Sequence, residues 1–461
     1  MDKKQSRGSF TGSLGFVLAA AGSAVGLGNI WRFPYLAAKD GGGVFLLCYI
    51  ILALTFGFTL LTTEIAIGRK TGQSPLTAYR KINGKMGWVG LIACIIPMLI
   101  LPYYSVIGGW VLKYFAEFVK GNTSAMADEN YFGSFISNSS APTFWFILFI
   151  ALTALIVLLG VDKGIEKVSK IMMPALIVLI LVITGYSLFT LDGAWQGVLY
   201  YITPDFSKFT VMTVVAAMGQ LFYSMSIAMG ILITFGSYLK KDVSIENSVY
   251  QIAGFDFGIA FLSALMIIPA VYAFSGGDEA AMGKGPGLMF VTLPKIFETM
   301  PGGNIIGAVF FLMVFFAAIT SSISLMETVV STISDKFKLG RSISCLVVFL
   351  GSVAIGLLSV FGYSIWAEVK IIGMQFLDFF DFASNSVLMP IVAFSTCVFV
   401  GYVLKPKAII AEVEGLDENG KPYHTFRAKK MYSIIIKYIA PVCILLILVS
   451  SILDALGIVK I

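Results

Sequence analysis

Charged residues are scarce along this chain of 461 residues, at 13% of the total, and histidine occurs only once. So little charge cannot cover the surface of a soluble domain, which excludes an ordinary water-soluble fold. Apolar residues make up 58% and gather in stretches long enough to cross a bilayer as helices. The sequence predicts an all-α, polytopic membrane protein with eleven transmembrane spans, at approximately residues 14–37, 42–67, 88–116, 143–160, 171–190, 211–238, 244–274, 303–330, 343–361, 374–403 and 432–457.

The few cysteines and the single histidine also narrow the possible function classes. All five cysteines fall inside predicted spans, which indicates packing and not a disulfide or metal framework. His424 lies in a polar loop, and the chain has no His-Glu-x-x-His or Gly-x-Ser-x-Gly motif. We therefore predict that the protein is not an enzyme.

Lysine and arginine concentrate in alternate loops, near residues 3–7, 69–85, 163–170, 240–241, 336–341 and 405–430. Because basic loops stay on the cytoplasmic side, this pattern predicts a multi-pass protein of the cell (inner) membrane with a cytoplasmic N-terminus. The same topology accounts for the net charge of +6, so we expect a lipid bilayer as partner and no nucleic acid.

Two predicted spans contain helix-breaking runs at corresponding positions. The first holds Gly22 to Asn29 and the sixth holds Gly219 to Gly230, each rich in small residues. Either run alone fits close helix packing equally well. Interrupted helices at matching points of two halves are typical of a transporter's binding site, so the pair favours transport. We predict one domain over residues 1–461, with inverted repeats at 10–190 and 211–404 and an additional helix at 432–457.

Four motifs on these spans resemble the neurotransmitter:sodium symporter family, in particular its bacterial members that carry hydrophobic or aromatic amino acids. The resemblance covers nearly the whole chain, and the motifs occur in the order and on the spans that the family uses. They are residues 21–34 with 41–45, residues 220–230, residues 316–322 and residues 377–382. The resemblance implies a 5+5 inverted-repeat fold with unwound first and sixth helices, and sodium-coupled import of a neutral amino acid by alternating access.

The resemblance also implies two sodium sites built largely from helix-end oxygens. The first would take the Ala24 carbonyl and the side chains of Asn29, Ser224 and Asp256, with the substrate carboxylate. The second would use the carbonyls of Gly22, Val25 and Ala317 and the hydroxyls of Thr320 and Ser321. Without the break in the first span, the hydroxyls of residues 320–322 could equally bond to their own helix.

Asp256 departs from a characterised family member, which has asparagine there and glutamate where this chain has Ala260. Chloride-dependent members bind the anion in this neighbourhood. A fixed carboxylate beside sodium would offset the ion's charge, so we predict that no chloride is needed. A structural acid hydrogen-bonded within the bundle is the alternative reading.

A substrate pocket follows from the same motifs. The family pattern places the substrate carboxylate at the amides of Leu27 and Gly28 and the hydroxyl of Tyr104. Glycine at position 26, where amine-transporting relatives have aspartate, favours a substrate that carries a carboxylate. The substrate-binding residues implied are Ala24, Leu27, Gly28, Ile100, Tyr104, Tyr223, Ser224, Ser226, Met229, Ser321, Ser324 and Leu325. This mainly apolar wall favours hydrophobic or aromatic substrates.

The resemblance implies gates on both sides of the pocket. Arg32 and Asp381 match the outer pair, whereas Arg7 and Asp335, braced by Tyr238, match the cytoplasmic latch. Gly164 and Pro174 have the spacing with which homologues unwind the fifth helix toward the second sodium. An amino-acid-binding membrane sensor without transport would have the same pocket and remains the alternative function. The oligomeric state stays open.

Overall fold

The computed structural model describes residues 8–278, 285–415 and 421–455, and this part of the chain is helical with no β-strand. Thirteen helices form the body of the protein: α1 (Ser13–Ala24), α2 (Gly28–Lys39), α3 (Gly43–Thr71), α4 (Gly84–Val119), α5 (Ser140–Leu158), α6 (Val161–Thr190), α7 (Val211–Ser224), α8 (Ile231–Gly236), α9 (Ile245–Ser275), α10 (Gly303–Phe337), α11 (Arg341–Phe361), α12 (Phe376–Leu404) and α13 (Lys429–Asp454). Shorter helical pieces cover Pro75–Ile82, Thr123–Met126, Glu129–Ile136, Ala194–Ile202, Phe206–Lys208, Leu288–Thr292, Leu293–Thr299 and Pro406–Glu414.

Nine helices in the described ranges are long and apolar enough to cross a membrane, and each overlaps a predicted span. The pair α1 and α2 adds a tenth, bent by 58° at its break. The sixth predicted span is divided into α7 and α8, which are too short to qualify singly. The polytopic helical fold is thus confirmed, whereas eleven spans and the inverted repeat remain predictions.

One boundary differs markedly from the sequence prediction. Helix α6 begins at Val161, well before the predicted residue 171. Its first turn, Val161–Glu166, is a wide π-type turn that contains Asp162, Lys163 and Glu166. This turn lies before the apolar part of the span. Because its charged residues lower the local hydropathy, the sequence prediction placed the start of the helix too late.

The broken helices lie at the centre of the bundle. Helix α1 packs against α6, α9 and α10, while α7 and α8 pack against opposite ends of α3. The apolar stretch of α4 is 72% buried inside the protein, whereas that of α13 is 28% buried. Large apolar side chains such as Leu155 and Val178 are exposed on the outer helices. Such exposure suits a lipid-facing surface around a protein-lined centre.

Candidate functional site: two helix breaks around a cavity

The first break follows Ala24, where α1 ends. Val25 adopts an extended conformation (φ −77°, ψ 102°), and the helix resumes at Gly28. The amide of Gly26 lies 3.3 Å from Asn29 Oδ1, and that of Leu27 lies 3.4 Å from the hydroxyl of Tyr104. Side chains therefore replace part of the hydrogen bonding that the interrupted helix loses.

The second break, residues 225–230, separates α7 from α8. Ser226 and Ala228 have positive φ angles of 52° and 65°, a region that residues other than glycine rarely occupy. The amide of Ala228 donates to Glu64 Oε1 at 2.6 Å. Glu64 is almost fully buried on α3. Glu64 therefore supports the second break through the backbone of residue 228.

A small cavity of about 30 Å³ lies between the two breaks. Serines from both breaks meet there, because Ser226 Oγ is 2.9 Å from Ser23 Oγ and 3.0 Å from the Ser23 carbonyl. The wall brings together eleven predicted substrate residues: Ala24, Leu27, Gly28, Ile100, Tyr104, Tyr223, Ser224, Ser226, Met229, Ser321 and Leu325. It also includes Ser23, Gly26, Asn29 and Ile231, which the sequence argument did not assign to substrate.

Ser324, the remaining predicted substrate residue, is not among the residues that line the cavity. Its hydroxyl donates to the carbonyl of Thr320 at 3.0 Å, one turn back on α10, and the residue is buried. This is the ordinary local bond of a helix serine.

Asp256 is fully buried on α9 and accepts hydrogen bonds from three sides. Asn29 Nδ2 donates to Oδ1 at 2.8 Å, and the hydroxyl of Ser224 donates to the same oxygen. The hydroxyl of Tyr49 donates to Oδ2 at 2.7 Å. The side chains predicted for the first sodium site therefore converge. Tyr49 was missed because it stands in an apolar run without any motif.

Ser321 on α10 reaches two of the α1 carbonyl oxygens predicted for the second sodium site. Ser321 Oγ is 3.3 Å from the carbonyl oxygen of Gly22 and 3.1 Å from that of Val25. The Thr320 hydroxyl bonds within its own helix, at 2.9 Å from the carbonyl oxygen of Phe316 and 3.1 Å from that of Ala317. Its Cβ nevertheless faces α1, 3.2 Å from the position that a Cβ of Gly22 would take. Neutral carbonyl and hydroxyl oxygens without an acid are suited to a hard monovalent cation.

Arg32 and Asp381 both line a larger cavity of about 570 Å³ on the other side of Tyr104 and Tyr223. Within the described part of the chain, no ion pair joins them. Asp381 Oδ1 instead accepts from Tyr103 at 2.9 Å and from Asn385 at 2.6 Å. The predicted contact is not formed in this conformation.

The predicted cytoplasmic gate centres on Tyr238. Its hydroxyl donates to Glu327 Oε1 at 2.7 Å, and Glu327 pairs with Arg341 at 2.5 Å. Asp335 accepts from the amide of Ser74 at 2.8 Å. Arg7 lies outside the described residues, so the latch that it would form with Asp335 stays a prediction.

Comparison with known proteins identifies the family of this chain. The sequence model of the sodium:neurotransmitter symporter family matches residues 7–132 and 126–458. The chain belongs to this family. It is 34% identical over 451 residues to the uncharacterized sodium-dependent transporter YhdH of Bacillus subtilis, covering 95% of the chain and 96% of YhdH. An uncharacterized sodium-dependent transporter of Haemophilus influenzae is 31% identical over 470 residues, covering 96% and 98%.

A solved structure agrees with the family assignment. The crystal structure of MhsT in complex with L-phenylalanine matches with a TM-score of 0.85 and 35% identity, covering 96% of this chain and all of that one. This symporter-family chain is therefore a multi-pass, sodium-coupled membrane transporter, and its relatives support a transport role over an enzymatic one.

Proposed function

We propose that this chain imports a neutral hydrophobic or aromatic L-amino acid together with sodium, by alternating access across the cell (inner) membrane. The observation that carries the proposal is the cavity between two helix breaks, lined at its polar end by backbone and serine groups of both breaks. Helix ends offer amides to a carboxylate and carbonyls to an ammonium group without a formal charge in lipid.

The polar end of the cavity suits an α-amino acid. The amides of Leu27 and Gly28 and the hydroxyl of Tyr104 would hold the substrate carboxylate. The carbonyls of Ala24, Tyr223 and Ser224, with the hydroxyl of Ser226, would hold the ammonium group. The approach of the Tyr104 hydroxyl to the Leu27 amide supports a shared site for the carboxylate.

Much of the cavity wall is apolar. Ile100, Met229 and Leu325 contribute apolar side chains to its wall, and none of the described lining residues has an acidic or basic side chain. The flexible thioether of Met229 can move to admit a larger ring. MhsT, which shares the fold, was crystallised with L-phenylalanine. These points support an apolar or aromatic substrate.

Two sodium ions would supply the driving force. Moving two charges with a neutral zwitterion yields roughly 4.6 kcal/mol per 100 mV of membrane potential. Each tenfold accumulation of substrate costs about 1.4 kcal/mol. The potential alone would therefore sustain a gradient on the order of a thousandfold. Separate clusters around Asn29 and Ser321 support a count of two.

The buried carboxylate of Asp256 supports chloride-independent transport. It contacts Asn29 and Ser224, two predicted ligands of the first sodium, and so would place a fixed negative charge beside that ion. A mobile anion would then have no charge left to balance.

The N-terminus would be cytoplasmic. Arg32 and Asp381 would close the outer side of the site, and Arg7, Asp335 and Tyr238 would close the inner side, while the two inverted repeats rock around the site.

Uptake by proteoliposomes tests the proposal. We expect L-phenylalanine or another apolar amino acid to accumulate against its gradient only when sodium is high outside. Sodium-dependent binding without accumulation would indicate the sensor alternative, and neither binding nor uptake from a panel of twenty amino acids would refute the substrate class. Competition within that panel ranks the substrates.

Replacing chloride by gluconate at constant sodium tests the anion proposal separately. We expect the uptake rate to stay within a factor of two. Uptake that disappears in gluconate would contradict the role given to Asp256. Uptake by the Asp256→Asn variant that returns only when chloride is added would strengthen it.

A further inference from the structure

Glu166 is a buried acid at the start of α6 that the transport site does not use. Its side chain is only 2% exposed, although it lies in the charged first turn of the helix. The carboxylate accepts from the backbone amide of Thr11 at 2.9 Å and also from the Thr11 hydroxyl. Lys170, one turn along α6, pairs with it at 2.6 Å. The acid therefore joins α6 to the segment that leads into α1.

The surface of α1 is shaped to receive this carboxylate. A Cβ atom added to Gly15 would lie 2.2 Å from Glu166 Oε1 and 2.7 Å from Cγ, so no side chain fits there while Glu166 is in place. The contact also lies at the N-terminal end of α1, whose unpaired amides and helix dipole favour a negative charge. Steric fit and electrostatics thus select the same position.

The same end of α1 is held on a second side by the predicted cytoplasmic gate. The amide of Phe10 contacts the carbonyl of Tyr238 at 3.4 Å, and its ring packs edge-on against Phe235 and Tyr238. The start of α1 is therefore fixed between α6, through Glu166, and the end of α8, through Tyr238.

The contact between α1 and α6 continues from Glu166 to the second predicted sodium site. Met173 lies two helical turns beyond Glu166 and is fully buried. Its sulfur is 3.4 Å from the position that a Cβ of Gly22 would take, and Gly22 is a predicted ligand of that sodium. Separating the two helices at Glu166 would therefore open a path along Met173 to Gly22.

We propose that Glu166 is a positioning residue that latches α1 to α6 and keeps water from reaching the second sodium site from the cytoplasmic side. The latch rests on the proposed function, because it would regulate access to one of the sodium sites of that function. It must open before sodium leaves, and it lies within the segment between Gly164 and Pro174. That segment is helical in this structure, so the latch and the intact helix belong to the same closed state.

Cysteine accessibility tests the latch. The parent protein carries Met173→Cys with the five native cysteines replaced, and it is first shown to bind L-phenylalanine in a sodium-dependent way. The rate of labelling by a membrane-impermeant methanethiosulfonate is measured in right-side-out and inside-out vesicles. We expect Glu166→Gln and Gly15→Ala each to raise the rate at least fivefold from the cytoplasmic side only. Asp162→Asn, an exposed neighbour on the same turn, should leave it within a factor of two.

A double variant separates a latch from a general loss of stability. Because both changes break the same contact, Gly15→Ala combined with Glu166→Gln should label no faster than the faster single variant. Multiplied effects, or rates for both single variants within twofold of the parent, would overturn the proposal. Should Glu166→Gln fail to fold, Gly15→Ala decides alone.

The proposed function and the latch fail in different ways. An unsubstituted protein that binds none of the twenty amino acids with sodium contradicts the proposed function, whereas the labelling rates of the cysteine variants still report whether α1 and α6 separate. If the parent binds and transports normally and both variants are labelled at the same rate as the parent, only the latch is contradicted.

Discussion

Gly26 lies where the substrate cavity meets the second sodium site. A Cβ at this position would lie 3.0 Å from Ser321 Oγ and 3.1 Å from the hydroxyl of Tyr104, both closer than ordinary contacts. Since its φ angle is not positive, the backbone would tolerate alanine, and only the space is missing. Glycine here therefore keeps two functional hydroxyls in position.

We expect Gly26→Ala to weaken substrate binding about tenfold, equivalent to about 1.4 kcal/mol, because the Tyr104 hydroxyl must shift. Equilibrium binding of L-phenylalanine in saturating sodium measures the effect. Gly254→Ala is the matched control, since an added Cβ on this exposed face of α9 meets nothing within 4 Å. Equal affinities for the two variants would contradict the steric argument.

Tyr49 supplies one of the three hydrogen bonds to the Asp256 carboxylate. A bond to a charged group contributes about 1.5–3 kcal/mol, and its loss would let the carboxylate move away from the first sodium site. We expect Tyr49→Phe to raise the sodium concentration for half-maximal substrate binding at least fivefold.

Tyr79→Phe is the matched control for that measurement. The Tyr79 hydroxyl is equally buried and bonds to Thr396 Oγ1 at 2.7 Å, away from both sodium sites. It should lower thermal stability without changing the sodium dependence. Equal sodium shifts in the two variants would assign the effect to stability alone.

At the scale of elements, the break between α7 and α8 is held in an uncommon backbone conformation. Ala228 at φ 65° carries a cost of roughly 1–2 kcal/mol that glycine would avoid. We expect Ala228→Gly to leave the thermal unfolding midpoint in detergent unchanged or higher. Ala264→Gly, in the buried middle of α9, should lower it through a loss of about 1 kcal/mol.

An unfolding midpoint that is lower for Ala228→Gly than for Ala264→Gly would show that the positive φ angle does not govern the break. The Glu64 bond to the Ala228 amide persists in both variants, because it involves only the backbone of residue 228. Any difference in midpoint between them therefore reports on local backbone preference.

Both breaks could be located from the sequence, because small residues interrupt two otherwise apolar spans at corresponding positions. Their hydrogen-bond partners could not all be located. Glu64 stands out in the sequence because an acid in an apolar span needs a partner, whereas Tyr49 looks like any other aromatic residue. The bond of Ser324 to Thr320 could not be predicted either, because a motif gives the position of a side chain along a helix but not where its hydroxyl donates.

At the scale of the whole molecule, the spans were predictable because the cost of exposing polar backbone to lipid leaves few alternatives to helices. The closed or open state of a gate was not predictable. Arg32 and Asp381 have the residue types of an ion pair, yet Asp381 contacts Tyr103 and Asn385 here. Such a contact depends on how the helices are positioned, and the sequence is compatible with more than one arrangement.

The predicted ligands of the second sodium include backbone oxygens on either side of the first break. An ion bound there would complete the folded centre and would act as a stabilising ligand in its own right. Each tenfold rise in sodium above its dissociation constant should add about 1.4 kcal/mol of unfolding free energy per ion. Urea unfolding is measured at several sodium concentrations, with choline as the replacement cation to keep the ionic strength constant. We expect the unfolding free energy to rise with the logarithm of the sodium concentration by the slope for two ions. A slope of one ion or none would contradict the count.

The centre of the protein would therefore change in stability during each transport cycle. It would be most resistant to unfolding while the breaks face the sodium-rich side, and least resistant just after release into the sodium-poor cytoplasm. Heat, proteases and denaturing detergents should then preferentially inactivate molecules that have delivered their cargo and not yet returned.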